Sequence, residues 1–491
     1  MDTFLGRLDH GSLSMGRRTI GAPKPLRRMG PLRIESVDLE AQGIARHEGK
    51  VVFVAGGLTG EDVMVEVLRE RPSYIKARAV EWRSQSPDRA TPPCPHFGVC
   101  GGCSMQHATP SAQVAIKQRV LEDNLWHIGK LRPAEVLSPI RGPSLGYRAR
   151  ARLSVRWVDK KGGLLVGFRE RASSYVAQMD TCRVLHPRAA RLLPLLRDCF
   201  ASLSTARDIP QVELAVGEAD VAAVPGDVLV WVIRHLVALP PGDEATLQAF
   251  ADVHGVVFWS QAGGPATAMP LCWPGKSRAD PAAMPGLFYA LPAFSIRMPY
   301  SPVDFTQVNF QINRVLVSRA IGLLEVSDAH RVADFFCGLG NFSLALARRA
   351  GSVVGYEGSA ALIAQAARVC EAHGLQARAR FEAVNLFEID LAWLQGQGEF
   401  DRVLLDPPRE GAQALCEAYA AWSLEGGGPD RMVMVSCNPA TLARDAAILV
   451  HQGAWSLDQA GIVNMFPQTA HVESIAVFKR KPAEGSAARP V

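Results

Sequence analysis

A thiol stands where a strand gives way to a helix. In "MVMVSCNPATLARD", Met432 to Asp445, an apolar run ends at Cys437, Asn438-Pro439 breaks it, and helix-forming residues begin near Ala440. A thiol beside a helix N-terminus feels the positive end of the backbone dipole, which favours the thiolate. A free thiol of pKa about 8.5 is only a few per cent ionised at neutral pH, so such help matters to a nucleophile. Position alone leaves Cys437 between two roles, nucleophile and inert buried thiol. The second is the reading for Cys199, Cys272, Cys370 and Cys416. Cys337 is a rival, but it lies in a glycine turn where packing accounts for it. Further on, "HVESIAVF" carries Glu473 into a final strand. An acid there belongs at a site or in a pair, or else on the surface of an edge strand.

A second set of residues has the pattern of a nucleotide site. "VADFFCGLGNFSLALA", Val332 to Ala347, is an apolar strand with Asp334 near its end, a tight Gly338-Leu339-Gly340 turn, and a helix opening near Asn341. Glycines there sharpen the turn and let backbone approach a ligand. The next strand, "SVVGYEGS", carries Glu357, 23 residues after Asp334, where an acid can bind ribose hydroxyls. Asn385 follows a third short strand and is a candidate adenine contact. Asp406-Pro407-Pro408-Arg409 closes a fourth. Ligands of such sheets sit at the carboxyl ends of the strands. A lone Gly-x-Gly is weak evidence, because any tight turn wants glycine. The third glycine of a dinucleotide fingerprint is missing, and Asp334 sits inside the strand, so the set points to S-adenosylmethionine rather than NAD.

A third set is metal-like. Cys94, Cys100 and Cys103 form C-x5-C-x2-C, with Gly98, Gly101 and Gly102 letting the loop wrap closely, and Cys182 can supply a fourth thiolate. Four thiolates suit an iron–sulfur cluster or structural zinc. The two matched C-x2-C pairs usual in a zinc ribbon are absent. A radical enzyme would leave one iron open with three cysteines; a fourth cysteine here makes a structural or RNA-organising cluster the better reading.

These residues need elements to hold them, and the chain is long enough to build several. At 491 residues it predicts two to four domains. With 48% hydrophobic and 21% charged residues the composition is globular, not disordered. No apolar run reaches 18 residues, so no transmembrane helix and no membrane partner is expected. Residues 1–33 lack the apolar stretch of a secretory signal, and ten cysteines are too few for a disulfide scaffold, so a cytoplasmic protein with reduced thiols is expected. The net charge of +5 is uneven: residues 1–33 carry +5 and residues 141–171 carry +7, leaving the rest acidic. Two basic islands read either as a polyanion-binding surface, nucleic acid first among the ligands, or as a plain solvated face.

The expected organisation is a flexible basic tail over 1–30, a small five-stranded β-barrel of OB-like type over 31–86, a central mixed α+β domain with the metal site over 87–290, an α/β, Rossmann-like domain with a mostly parallel sheet over 291–480, and a loose tail over 481–491. Residues 255–286 defy assignment by pattern, and 205–285 have no legible role.

"DFFCGLGNF", "LLDPPR", "VSCNPATLARD" and "HVES" together resemble the bacterial RNA uracil-5-methyltransferase family over most of the chain. "SCNPATLARD" is the most specific piece. The cysteine loop and a barrel similar to a TRAM domain point to the branch that methylates 23S ribosomal RNA, by resemblance at uracil 1939. The resemblance implies Cys437 as nucleophile, Glu473 as base, and S-adenosylmethionine contacts from Gln307, Phe336, Asn341, Glu357, Asn385 and Asp406. It also implies a [4Fe-4S] cluster on Cys94, Cys100, Cys103 and Cys182, favouring Cys182 over Cys199. No obligate protein partner is inferred. Residues 424–430 look like a small insertion. Two rivals stand beside this reading: the same chemistry on transfer RNA, against which the barrel and cysteine loop argue, and a non-catalytic RNA-binding assembly factor, against which the Cys437/Glu473 pair argues.

Overall fold

The structure is a computed structural model that describes residues 26–218, 226–277, 284 and 286–482. Most of the expected basic tail, and the end of the expected C-terminal tail, lie outside those residues. The first sheet is six-stranded rather than five. It comprises β1 (Arg28–Arg33), β2 (Ser36–Val37), β3 (Gln42–His47), β4 (Lys50–Ala55), β5 (Asp62–Glu70) and β6 (Tyr74–Ser84), in the order β1-β5-β6-β4-β3-β2. The extra strand is the two-residue β2, too short to leave an alternation that can be read. Val52, Val54, Val63, Val65, Ile75 and Ala77 alternate inward to make its own small core.

The stretch after β6 is not a free linker. Arg89 donates to both carboxylate oxygens of Glu61 (Nε–Oε1 2.5 Å, Nη2–Oε2 2.7 Å) and to Gly56 O. Glu61 is fully buried and also accepts from Leu58 N, Trp82 Nε1 and Ser86 N, so this buried ion pair is satisfied on every side. It docks the barrel onto the cysteine loop, where Ala90 N donates to His107 O.

Helix α1 (Pro110–His127) starts at the Thr109 cap and packs Val114, Val120, Leu121 and Leu125 against the last, eight-stranded sheet. The short β7 (Glu135–Val136) joins that sheet too. The central sheet contains β8 (Arg150–Val158), β9 (Gly163–Gly167), β10 (Gln211–Glu218), β11 (Asp227–Arg234), β12 (Val256–Gln261), β13 (Ala268–Trp273), β14 (Lys276–Ser277), β15 (Leu287–Leu291) and β16 (Ile296–Tyr300). Helices α2 (Pro187–Ser202) and α3 (Pro241–His254) cover it. The described part of the stretch that resisted sequence assignment extends the central sheet: β12 runs parallel to β11, and β13 pairs antiparallel with β12. The expected boundary at 290 is crossed twice. α1 and β7 belong with the later sheet, and β16 belongs with the central one.

The last sheet alternates with helices as expected. Its elements are α4 (Phe310–Leu324), β17 (Arg331–Phe335), α5 (Ser343–Ala347), β18 (Ser352–Glu357), α6 (Ala360–Ala372), β19 (Ala379–Ala383), α7 (Leu391–Gly396), β20 (Arg402–Leu405), α8 (Gln413–Leu424), β21 (Arg431–Ser436), α9 (Pro439–Gln452), β22 (Trp455–Val463) and β23 (Glu473–Arg480). The order is β19-β18-β17-β20-β21-β23-β22-β7, with β19 to β21 parallel and β23 antiparallel to both neighbours. Alternate strand residues face two cores: Val332, Leu404 and Val433 pack under α4, and Ala333, Phe335 and Val403 pack under α1, α8 and α9. Burial on both faces is what a parallel sheet needs. Among the described residues no helix is long and apolar enough to cross a membrane.

Candidate active site

The carboxyl ends of β17, β18, β19 and β20 carry Phe336, Glu357, Asn385 and Asp406 along one rim, as the sequence predicts. The turn after β17 is wound tightly. Phe336, not a glycine, holds φ 63°, and Gly338 and Gly340 follow at φ 54° and 87°. Left-handed backbone at a bulky residue is costly and persists where the surroundings enforce it. A Cβ on Gly338 would meet nothing within 4 Å, so that backbone faces open space. Gly338 N donates to Glu357 Oε2 at 3.2 Å and Ser359 N to Glu357 Oε1 at 3.0 Å, which fixes the acid beside the turn.

Behind the turn, Asp334 is fully buried and accepts a short hydrogen bond from Ser343 Oγ, while its Oδ1 has no partner. Burial pushes its carboxyl up to about 7, with Asp406 and Glu357 adding to the rise. Burial likewise pushes Asp406 up to about 7. A cluster of acids short of positive charge fits a cationic ligand. Asn341 spends its amide on a reciprocal pair with Asn313 and on Tyr289 OH (2.9–3.0 Å). Gln307 lies half-buried just before α4, between exposed Phe305 and buried Asn309. Asn385 is exposed and caps the following turn at Phe387 N. Phe387, whose ring lies 5.6 Å from Phe336, was not legible as a rim residue.

The thiol and the second acid meet next door. β21 and β23 pair antiparallel with Ser436 opposite Ser474, so the next residues outward are Cys437 and Glu473. The edge-strand reading of Glu473 fails, because β23 lies between β21 and β22. Glu473 is 3% exposed; burial, with Asp406 adding, raises its carboxyl to about 8. Cys437 is half-buried. Burial and the neighbouring Glu473 and Asp406 push its thiol up to about 11, against a lowering by Arg409. The helix dipole expected to favour the thiolate is thus outweighed in the free protein. Asn438 caps α9 through Ala440 N and donates Nδ2 to Arg409 O at 3.2 Å, tying the thiol's loop to the Asp406–Arg409 loop.

Cys437 opens into a cavity of about 550 Å³. Its walls come from four places along the chain: Leu39 and Glu40 of the barrel, Gly101, Gly102 and Ser104 of the cysteine loop, Arg148 and Phe168 beside β8 and β9, and Arg409 and His471 beside the last sheet. Arg148 lies over the Phe168 ring at 5.4 Å, a cation beside an aromatic face. Of the basic block, only Arg148 reaches this cavity. Arg150 is mostly buried with Nη2 on Pro302 O, and Arg152 pairs with Glu213 at 3.0 Å.

Cys94, Cys100, Cys103 and Cys182 line one small cavity with Met179. Gly102 N points at Cys100 Sγ (3.4 Å), Gln106 bonds Cys103, and Val184 and Leu185 N–H groups face Cys182. Four thiols on one cavity, three of them facing N–H donors, form a donor set suited to thiolate ligation. Cys199 stands apart from it, as expected. Among the described residues, no three or more His, Cys, Asp or Glu side chains are grouped to hold a single metal ion.

Residues 295–481 match the family described as tRNA (Uracil-5-)-methyltransferase, and residues 29–80 match the TRAM domain. A 23S rRNA (uracil(1939)-C(5))-methyltransferase RlmD of Bordetella bronchiseptica is 55% identical over 448 residues, spanning 91% of this chain and 92% of its own. The protein of the same description from Aromatoleum aromaticum is 51% identical over 447 residues, spanning 91% and 99%. Among solved structures, the Pyrococcus abyssi tRNA (uracil-54, C5)-methyltransferase in complex with S-adenosyl-L-homocysteine superposes with a TM-score of 0.64 at 21% identity. That likeness covers 92% of this chain and 100% of the other, and shows a shared fold.

Proposed function

The chain belongs to the RNA uracil-5-methyltransferase family, in its 23S ribosomal RNA branch, and from that premise we infer how the cavity at Cys437 works. The enzyme transfers a methyl group from S-adenosylmethionine to C5 of a uridine in 23S ribosomal RNA, at position 1939 if it follows its relatives. Such a substrate puts the reaction in the cytoplasm.

S-adenosylmethionine, when bound, supplies an electrophilic methyl on a cationic sulfonium. We assign its binding to Gln307, Phe336, Asn341, Glu357, Asn385 and Asp406, a reading supported by the common rim of Phe336, Glu357, Asn385 and Asp406 and by the buried acids there, whose carboxyls burial raises. Asn341 then acts by shaping the turn, since its amide is already engaged.

C5 of uracil is a weak nucleophile. Cys437 thiolate adds to C6, forming the S–C6 bond and moving the C5–C6 π electrons onto C5 and the adjoining carbonyl. That carbon takes the methyl group as the methyl–sulfur bond breaks and the sulfonium leaves as a neutral thioether. Glu473 takes the C5 proton, the C5–C6 double bond returns, and the S–C6 bond breaks to release the thiolate. Arg409 favours the thiolate at the start. A carboxyl raised to about 8 is poised to hold and move a proton near neutral pH.

The single observation that carries this reading is the Cys437–Glu473 juxtaposition across β21 and β23, with Cys437 opening into a cavity that barrel and cysteine loop also line. The four cysteines are read as ligands of a [4Fe-4S] cluster, supported by their convergence on one cavity with N–H donors. The matching experiment is a deletion strain. Its ribosomal RNA should lack one 5-methyluridine, restored by the native gene and not by Cys437→Ala. Full methylation of 23S ribosomal RNA in the deletion strain, with a 5-methyluridine lost from transfer RNA instead, would move the substrate to the rival class.

A further inference from the structure

The turn that delivers Glu473 to β23 is gripped from outside its own sheet. Residues 464–472 connect β22 to β23, and Thr469 to Val472 line the cavity at Cys437. Lys117 of α1 donates Nζ to Asn464 Oδ1 (2.8 Å) and to Phe466 O (2.9 Å). Gln113, one turn earlier, makes a reciprocal pair with Gln468: its Nε2 donates to Oε1 and its Oε1 accepts from Gln468 N, both 2.9 Å. Gln468 itself sits at φ 68°, a conformation a side chain adopts only under constraint. Its carbonyl accepts from Ser104 N (2.9 Å) and Met105 N (3.0 Å), directly after Cys103.

Lys117 is 1% exposed and no carboxylate is among its hydrogen-bond partners. Burying an amine among neutral acceptors is costly, and an apolar residue would pack more favourably on that helix face. Neither Lys117 nor Gln113 lines the cavity. Their polar groups instead hold a strained turn whose far end is the acid facing Cys437.

We propose that Lys117 and Gln113 are positioning residues for proton removal: they hold the turn 464–468 in the conformation that feeds Glu473 into β23 opposite Cys437. This rests on the reading of Glu473 as the base. A group held off its line by about 1 Å costs on the order of 10²-fold in the step it serves. That step comes after addition and methyl transfer, so a loosened turn stalls the enzyme at one stage.

The test uses full-length holoprotein and a 23S ribosomal RNA fragment. Lys117→Met keeps the chain length and removes the donor; Gln113→Leu is the second variant if the first does not fold. Each should add to RNA and transfer methyl at near-native rates, with KM values unchanged, and then release product about 10²-fold more slowly. The readout is a methylated protein–RNA band that survives denaturing electrophoresis. Native turnover with no band overturns the proposal. So does a parallel loss of addition and product, which is what general destabilisation gives. Glu473→Gln run alongside separates the failures: if it turns over freely, the base assignment falls. If it traps the band while Lys117→Met and Gln113→Leu do not, only the positioning role falls.

Discussion

Cys437 and Glu473 stand one step past the Ser436–Ser474 pair, on adjacent antiparallel strands. Glu473 is buried, Cys437 is half-buried, and the carboxylate disfavours ionisation of the thiol. Glu473 raises the Cys437 thiol only when it is charged. Alkylation of Cys437 by iodoacetamide, followed by peptide mass spectrometry, should therefore be equal in native and Glu473→Gln proteins at pH 6. Above pH 8 it should be several-fold faster in the variant, whose neutral amide no longer opposes the thiolate. Equal rates at pH 9 would mean that the two side chains do not sense each other.

The same acid links stability to pH. Its carboxyl titrates at about 8 when folded and near 4.3 when unfolded. Between those values the folded state holds a proton that the unfolded state has lost, so stability falls as pH rises through the window. Glu473→Gln removes this dependence. Denaturant titrations should show the variant gaining on the native protein from pH 5 to pH 8, by a few kcal/mol at most, since each unit is worth about 1.4 kcal/mol. A constant difference across that range would contradict the buried, raised carboxyl.

Much of this site could be read because its chemistry is local in sequence. Cys437-Asn438-Pro439, the Gly338–Gly340 turn and Asp406–Arg409 each lie at a strand end, and one strand end predicts the next in a parallel sheet. What the pattern missed was set by tertiary contact. By pattern alone Glu473 reads as either a site acid or an edge acid, and the choice is made only when the topology inserts β23 between β21 and β22. Lys117 did leave a trace: it falls at helical spacing between Val114 and Leu121, on the buried face of α1, where an apolar residue belongs. The Arg89–Glu61 pair sits in a stretch that reads as polar linker, and nothing in its spacing says that both partners are enclosed.

The basic block 141–171 divides by geometry. Arg148 borders the cavity, Arg152 is paired, and Arg150 is mostly buried. Neutralising one phosphate on a single strand contributes roughly 0.7 to the slope of log K against log salt. Arg148→Ala should flatten that slope by about this amount in RNA titrations from low to moderate salt, and Arg152→Ala should leave it unchanged. Arg150→Ala should instead lower the melting temperature. If the Arg152 variant alone flattened the slope, the RNA path would run away from the Phe168 side.

The four-cysteine cavity makes an analytical prediction. Burial pushes the Cys103 thiol up to about 12, and the neighbouring Cys182, Cys100 and Cys94 add to the rise, so these sulfurs gain from a positively charged occupant. Protein purified without oxygen should be brown and carry about four irons per chain, the content of one [4Fe-4S] cluster. Cys100→Ser should lose both colour and iron. Stoichiometric zinc in place of iron would overturn the cluster reading while leaving the chemistry at Cys437 untouched.

The order of chemical events can be read from where the enzyme stops. Addition of Cys437 to C6 must come first, because only then does C5 carry the electrons that attack the methyl group. Proton removal by Glu473 must come last, because the proton at C5 becomes acidic only once C5 is saturated and flanked by the carbonyl. Cys437→Ala should therefore give neither adduct nor product. Glu473→Gln keeps the size and hydrogen bonding of the side chain and cannot accept the proton. It should bind the cofactor, add to RNA and transfer methyl, and then hold the RNA covalently. Radiolabel in the methyl group should appear in the protein–RNA band, and the band should need both S-adenosylmethionine and Cys437. A stable band without label would place Glu473 before methyl transfer, and a thiol that waits on its neighbour's proton would then be the better account of a carboxyl raised to about 8 beside Cys437.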